Sequence, residues 1–305
     1  MQAKHKVFLL SFCTVLLWAS AFPLTKVVQE QFTSNPLGFL RCSIAAIFLI
    51  IIGKCSHIRI PAKKDIPYFI LAGAMGFTGY MIFFNTGIQT LTSATSSIIV
   101  ALTPILTAIG CAKVYHEKIK TIGWISIATA FIGVLVLLLW DGVFSINVGL
   151  IWTMGAALVF FGYNMMSRLL TTKGYTALEI VTYSMIFGAL LLGFWSIQGF
   201  QQLAASDMSH ILALVYLGAF PSAAAYFLWG KAMSFANRTS EVTNFMFVTP
   251  LLSTILGFLI LREIPNLGTF LGGAIIICSI IVFNLKGNII KAGILKKDSS
   301  FSVIC

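Results

Sequence analysis

Residues 101–117 read ALTPILTAIGCAKVYHE, and residues 247–263 read FVTPLLSTILGFLILRE. Laid over one another at an offset of 146 residues, they match Thr103-Pro104 with Thr249-Pro250, Leu106 with Leu252, Ile109 with Ile255 and Glu117 with Glu263. The same gapless offset pairs Leu71 with Leu217 and Tyr80 with Tyr226. A Thr-Pro pair and a lone carboxylate do not recur at one fixed spacing merely because the chain is apolar. The chain is therefore read as two copies of one unit, residues 1–145 and 146–286, followed by a basic tail at 287–305.

Composition sets the environment. Of the 305 residues 58% are hydrophobic and 10% charged, with a mean hydropathy of +0.96. A soluble domain is about 25% charged, so this chain has too few charges to cover a water-facing surface. That excludes a soluble enzyme, a disordered protein and a nucleic-acid-binding domain. The net charge of +11 does not reopen the last class, because Lys and Arg recur in small groups between apolar runs, as in cytoplasmic loops. The six Cys are scattered, without a CxxC pair or a His/Cys cluster, so neither a disulfide framework nor a metal site is expected, and no cofactor.

A membrane helix needs about 20 apolar residues. Ten segments qualify as spans 1 to 10: 7–28, 34–53, 67–89, 92–113, 121–139, 147–168, 177–197, 210–232, 240–261 and 267–285. The expected fold is an all-α membrane protein of ten transmembrane helices. Five spans per copy is an odd number, so the second copy enters from the opposite side, as two inverted-topology repeats. Secondary transporters are commonly built this way, with the site near the midplane between repeats. Placing the N-terminus in the cytoplasm puts seventeen of the twenty Lys and Arg on the inner side. Both termini are then cytoplasmic in a plasma (inner) membrane. The start of the chain also resembles a signal peptide, with Lys4, Lys6 and Ala19-Ser20-Ala21. The apolar run continues past that site through Pro23, and the repeat needs the helix.

Proline inside a helix removes a backbone hydrogen bond. Pro104 and Pro250 sit mid-span and leave the carbonyls of Val100 and Met246 short of a donor, so both are candidate hinges; Pro221 does the same in span 8. Polar residues at membrane depth face the interior. The binding set is drawn from them and from the aromatic residues: Trp18, Tyr80, Phe84, Asn85, Thr103, Asn164, Tyr226, Trp229, Lys231 and Asn244. Tyr80 and Phe84, four apart, share one helical face, as do Trp18 and Phe22. An aromatic-walled cavity with a few amide and hydroxyl groups suits an amphipathic small-molecule substrate. Lys231 is read as meeting a substrate anion or snorkelling to the interface. Arg41, two turns into span 2, is read as structural, capping carbonyls or anchoring at headgroups. Glu117 and Glu263 are read as repeat-equivalent ion pairs or caps beside Lys118 and Arg262. No Asp, Glu or His lies at a span centre, so a proton relay is missing, and Glu179 and Glu241 are the nearest candidates. Uncoupled diffusion or exchange is therefore expected. Small residues, Gly76 and Gly79 in span 3 and Gly268 and Gly272 in span 10, mark tight helix contacts. A monomer or weak homodimer in the lipid bilayer is expected, with no nucleic-acid partner.

These residues resemble the drug/metabolite transporter superfamily, specifically proteins with two EamA-type halves. The carriers are Trp18, Pro36 with Arg41, Tyr80, Thr103-Pro104, Glu117 before Gly123, and the second-copy Tyr226, Thr249-Pro250 and Glu263 before Gly268. Spans 6 and 7 depart from the pattern: Phe160 falls where the Trp18 copy belongs, and Tyr183 where the Arg41 copy belongs. The resemblance implies export or exchange of small metabolites, often amino acids, and looks closest to aromatic amino-acid exporters. Alternatives are a non-transporting membrane sensor or scaffold, and an exporter of other metabolites or drugs by proton antiport. An intramembrane enzyme is not expected, since HExxH, GxSxG and paired membrane aspartates are missing.

Overall fold

The computed structural model describes residues 2–114, 119–140, 148–235, 242 and 244–286. Every regular element among the described residues is helical. That follows from the continuous apolar runs, because in lipid each backbone N–H and C=O must be satisfied within the segment, as a helix does. The α-helices are α1 (Gln2–Val28), α2 (Ser34–Cys55), α3 (Ile66–Gly73), α4 (Tyr80–Gly87), α5 (Ser93–Val100), α6 (Thr103–Val114) and α7 (Thr121–Leu139). They continue with α8 (Val148–Thr172), α9 (Ala177–Leu192), α10 (Ser196–Ala205), α11 (Met208–Ala219), α12 (Ala225–Phe235), α13 (Thr249–Leu261) and α14 (Leu267–Lys286).

Seven helical stretches are long and apolar enough to cross a bilayer: His5–Val28, Ser34–Cys55, Lys63–Gly87, Ser93–Val114, Val148–Thr172, Ala177–Ala205 and Met208–Met233. Three shorter apolar helices, Thr121–Val136, Thr249–Leu261 and Leu267–Phe283, coincide with spans 5, 9 and 10. Large apolar side chains such as Phe8, Ile51, Phe131, Leu190 and Phe258 face outward, a surface suited to lipid rather than water. Span 7 runs further than expected. It passes through a 3-10 turn (Gly193–Trp195) into α10, which ends at Ala205. Gln201 and Gln202 interrupt the apolar run without breaking the helix. Gln202 is bonded to the α1–α2 turn, accepting from the Thr33 N–H at 3.0 Å and donating to Thr33 Oγ1 at 2.9 Å.

Inside, α1 packs on α11, α12 and α13, α2 on α9 and α11, and α4 and α6 on α8. Helices α7 and α14 lie along one another and join the rest through α5. A Cβ at Gly133 of α7 would stand 2.9 Å from the Gly272 carbonyl, and one at Gly268 would stand 2.2 Å from Trp140 Cγ. The small residues of span 10 are thus used within this chain.

Two polar junctions fasten the ends of the bundle. In one, Glu179 pairs with Arg59 at 3.1 Å, and Asp65 with Lys173 at 2.7 Å and the Tyr175 hydroxyl at 2.9 Å. Glu179 also completes a capping box with Thr176 at the start of α9. The hydrogen bond to Asp65 raises the Lys173 ammonium above its ordinary value, so that pair stays charged at physiological pH. In the other junction the Gln31 amide donates to Asp207 at 2.6 Å, and Glu30 lies 3.5 Å from His210. Adding 146 to 27–33 gives 173–179, and adding it to 56–65 gives 202–211, so the two junctions join equivalent pieces of sequence.

Candidate functional site

Besides the 3-10 turn at Gly193–Trp195, the described residues depart from the α-helical ladder at two repeat-related pairs of places. π-helical turns occupy Ala74–Gly79 and Phe220–Ala224, whose first residues are 146 apart. They deliver Tyr80 and Tyr226 into the interior. The backbone also breaks at Ala101-Leu102, ahead of Thr103, and tightens to a 3-10 helix over Asn244–Val248, ahead of Thr249. Pro221 has no N–H to offer the ladder, which favours the second π turn. In the first, Gly76 admits the Tyr163 ring, since a Cβ there would sit 2.4 Å from Tyr163 Cδ2. Such π turns inside α-helices occur often at functional sites.

Aromatic rings then form a connected belt. Trp18 packs edge-on against Tyr226, with centroids 5.6 Å apart, and tilted against Trp229 at 5.1 Å. Tyr226 meets Phe77 at 6.1 Å, and Phe77 meets Tyr163 at 5.3 Å. Tyr163 stacks with Phe160 at 5.5 Å, Phe160 lies on Tyr80 at 5.2 Å, and Tyr80 stacks on Phe84 at 5.3 Å. Phe22 closes the series against Phe84 at 5.4 Å. Each such pair contributes about 0.5–1.5 kcal/mol beyond its buried area. Trp18, Tyr80, Phe160, Tyr226 and Trp229 remain only half-buried although they face one another deep in the bundle. The belt therefore borders a space instead of filling it.

Of the expected binding set, Trp18, Tyr80, Phe84, Tyr226 and Trp229 are together in this belt. Asn164 is half-buried and donates to Thr107 Oγ1 at 3.2 Å, beside the belt on α8. Asn85 is fully buried and turned toward the start of α2. Its side-chain amide donates to the Ser34 carbonyl at 2.9 Å, and its backbone carbonyl accepts from the Gln29 side-chain amide and the Ser34 hydroxyl. Thr103 is buried, and its hydroxyl donates to the Val100 carbonyl at 2.7 Å. The acceptor freed by Pro104 is thus satisfied locally. Pro104 and Pro250 each occupy the second position of a new helix, α6 and α13, where proline fits. Lys231 is exposed and lies over the Phe227 ring at 5.6 Å. Asn244 begins the 3-10 segment, and its side chain lies outside the described residues, as do Glu117, Lys118, Glu241 and the tail.

Two residues take places that the sequence did not point to. Glu263 pairs with Lys26 of α1, not with the adjacent Arg262, and its second oxygen accepts from the Ser93 N–H at 2.7 Å. Lys26 also donates to the Leu91 carbonyl at 2.9 Å. One carboxylate thereby ties together the ends of α1, α5 and α13. Arg41 turns inward and bonds side-chain hydroxyls, not helix-end carbonyls, among the described residues. It is 5% exposed, and its Nε donates to Ser222 Oγ at 2.8 Å and its Nη1 to Thr25 Oγ1 at 3.3 Å. Ser222 lies in the second π turn, and Gly218 lets α2 approach, a Cβ there standing 3.1 Å from the Arg41 carbonyl. Burying a cation without a counter-charge costs several kcal/mol. A single Arg two turns inside an apolar span was the available signal. Its depth alone did not tell interior from interface. Phe77, read only as apolar, is the link between Tyr226 and Tyr163.

Known proteins place this architecture. The EamA-like transporter family matches twice, over residues 5–139 and 147–285. The uncharacterized transporter YdfC of Bacillus subtilis (strain 168) is 30% identical over 273 residues, 89% of either chain. A probable terminal-alkyne amino-acid exporter of Streptantibioticus cattleyicolor is 26% identical over 90% of this chain and 91% of its own. A solved crystal structure at 20% identity superposes with a TM-score of 0.62 over 93% of this chain and 99% of the other, a likeness of fold. With its apolar helices and two matching segments, this chain is an integral membrane protein of the EamA-like transporter family.

Proposed function

We propose that this chain is a secondary transporter that exports small amphipathic metabolites, amino acids foremost, by alternating access. The cavity is the aromatic-bordered space between two inverted five-helix halves, residues 1–145 and 146–286, in a ten-span chain with both termini in the cytoplasm. The observation that carries this reading is a reciprocal exchange: Trp18 of the first half covers Tyr226 of the second, and Phe160 of the second covers Tyr80 of the first. A two-fold relation within the membrane plane produces such pairs, and a space on that axis can open to either side as the halves rock. Helix breaks ahead of both Thr-Pro pairs supply places for that motion. The amino-acid preference draws on the aromatic lining and on the name of the Streptantibioticus relative.

No Asp or Glu among the described residues belongs to the belt. Of the two relay candidates, Glu179 is held by Arg59 and its own capping box, and Glu241 lies outside the described residues. Exchange or facilitated diffusion follows, without proton coupling. Counterflow into proteoliposomes tests this with a panel led by aromatic and branched amino acids, with and without a pH gradient. Accumulation of one class in both conditions is expected. Accumulation that requires the gradient overturns the uncoupled mechanism, and none from folded protein for any amino acid overturns the substrate assignment.

A further inference from the structure

We infer that Arg41 is the anchor for the substrate's carboxylate, and that the cargo is a mono-anionic or zwitterionic carboxylic acid with an apolar body. This rests on the transport reading above and names the chemistry of its site. The guanidinium carries five N–H donors. Two groups are engaged, Nε by Ser222 and Nη1 by Thr25, and Nη2 makes no hydrogen bond among the described residues. Both acceptors are neutral hydroxyls. Arg41 forms no ion pair among the described residues, and both of its hydrogen-bond partners are uncharged side chains. Among the described residues, this cation, 5% exposed within the bundle, has no counter-charge.

Its position makes that charge useful. Its partner Ser222 sits in the second π turn, which leads into Tyr226, one of the two tyrosines that follow the π turns and bear the reciprocal aromatic covers. A carboxylate on the free edge of the guanidinium fits the planar donor fork. The apolar body then falls among Trp18, Phe77, Phe160 and Trp229. One positive charge balances one carboxylate, not a dianionic phosphate. The substrate's amino group, where present, has aromatic faces to meet.

The test pairs each acid with the analogue that lacks the carboxylate charge: phenylalanine with phenylalaninamide and leucine with leucinamide, on wild type, Arg41→Lys and Arg41→Gln. Ligand-induced thermal shift of purified protein and counterflow are read together. Wild type is expected to bind and move the acids in preference to the amides. Arg41→Gln should lose acid binding and flux on the order of tenfold to a hundredfold, as for hydrogen bonds to a charged partner, and Arg41→Lys should retain part. Without ligand, Arg41→Gln should melt at or above the wild-type temperature, because an uncompensated buried charge has gone. A purely structural arginine predicts the reverse, a lower melting temperature with unchanged acid-over-amide preference, and that result overturns the inference. Movement of the amides alone overturns the inference while transport stands, and a response to neither acid nor amide overturns both.

Discussion

Tyr80 and Tyr226 stand 146 residues apart, each just past a π-helical turn, and each is covered by a ring from the other end of the chain, Phe160 and Trp18. If the space between them is the transport site, Tyr80→Ala and Tyr226→Ala each reduce counterflow about tenfold, equivalent to about 1.4 kcal/mol. Outward-facing Phe131→Ala leaves it unchanged. Asn85→Leu behaves differently. It removes the fully buried amide that bonds the Ser34 carbonyl at the start of α2 and lowers stability by about 1 kcal/mol, with any flux loss following the loss of folded protein. Melting temperatures and fluxes measured on the same preparations separate the two cases.

Close helix approach sets a second expectation. A Cβ at Gly73 would stand 2.5 Å from the Ser184 carbonyl and 2.9 Å from the Gly188 nitrogen, both backbone atoms of α9. At Gly162 the nearest atom is the terminal methyl of Met75, which can swing aside. Gly73→Ala therefore destabilises by about 1–3 kcal/mol, and Gly162→Ala by clearly less. Thermal unfolding in detergent orders the two, and equal losses contradict the packing described.

Thr103 and Pro104 act as a unit, and a double-mutant cycle shows it. With Pro104 present, Thr103→Val removes the hydroxyl that satisfies the Val100 carbonyl and costs about 1 kcal/mol. With Pro104→Ala, the new amide N–H takes over that acceptor, and Thr103→Val costs less. The coupling is read from the difference in melting. Pro104→Ala alone leaves binding near wild type and slows flux, and equal loss of both argues against a hinge.

The Lys26–Glu263 pair gives a fourth expectation. Both groups are largely shielded, at 25% and 11% exposure. Lys26→Met or Glu263→Gln alone leaves its partner uncompensated and destabilises by about 1–3 kcal/mol. The double variant recovers part of the loss. Arg262→Gln, at the sequence-adjacent cation, has little effect. A large loss there and none at Lys26 contradicts the assignment.

How much of this was legible is best seen residue by residue. The belt members Trp18, Tyr80, Phe84 and Tyr226 were readable because i, i+4 spacing puts pairs on one face and the 146-residue offset repeats. Phe160, noted as standing in for a second Trp18, does take that place against Tyr80. The π turns were invisible, since AMGFTG and FPSAA share no identical position that signals an extra residue in the ladder. Glu263 was matched to Arg262 because sequence shows neighbours, whereas its partner Lys26 is 237 residues away. Lys231 was preferred as the anion partner over Arg41 because the latter sits in an unbroken apolar run. Only the helix packing reveals that this part of α2 faces inward.

The central claim is that the aromatic-bordered space moves solute across the membrane. Counterflow in proteoliposomes preloaded with unlabelled phenylalanine tests it most directly. The account predicts transient accumulation of external labelled phenylalanine above its equilibrium level, in wild type and not in Tyr226→Ala. Monodisperse wild-type protein that shows no accumulation of phenylalanine or any other apolar carboxylic acid, or a Tyr226→Ala variant that accumulates it as well as wild type, would contradict it.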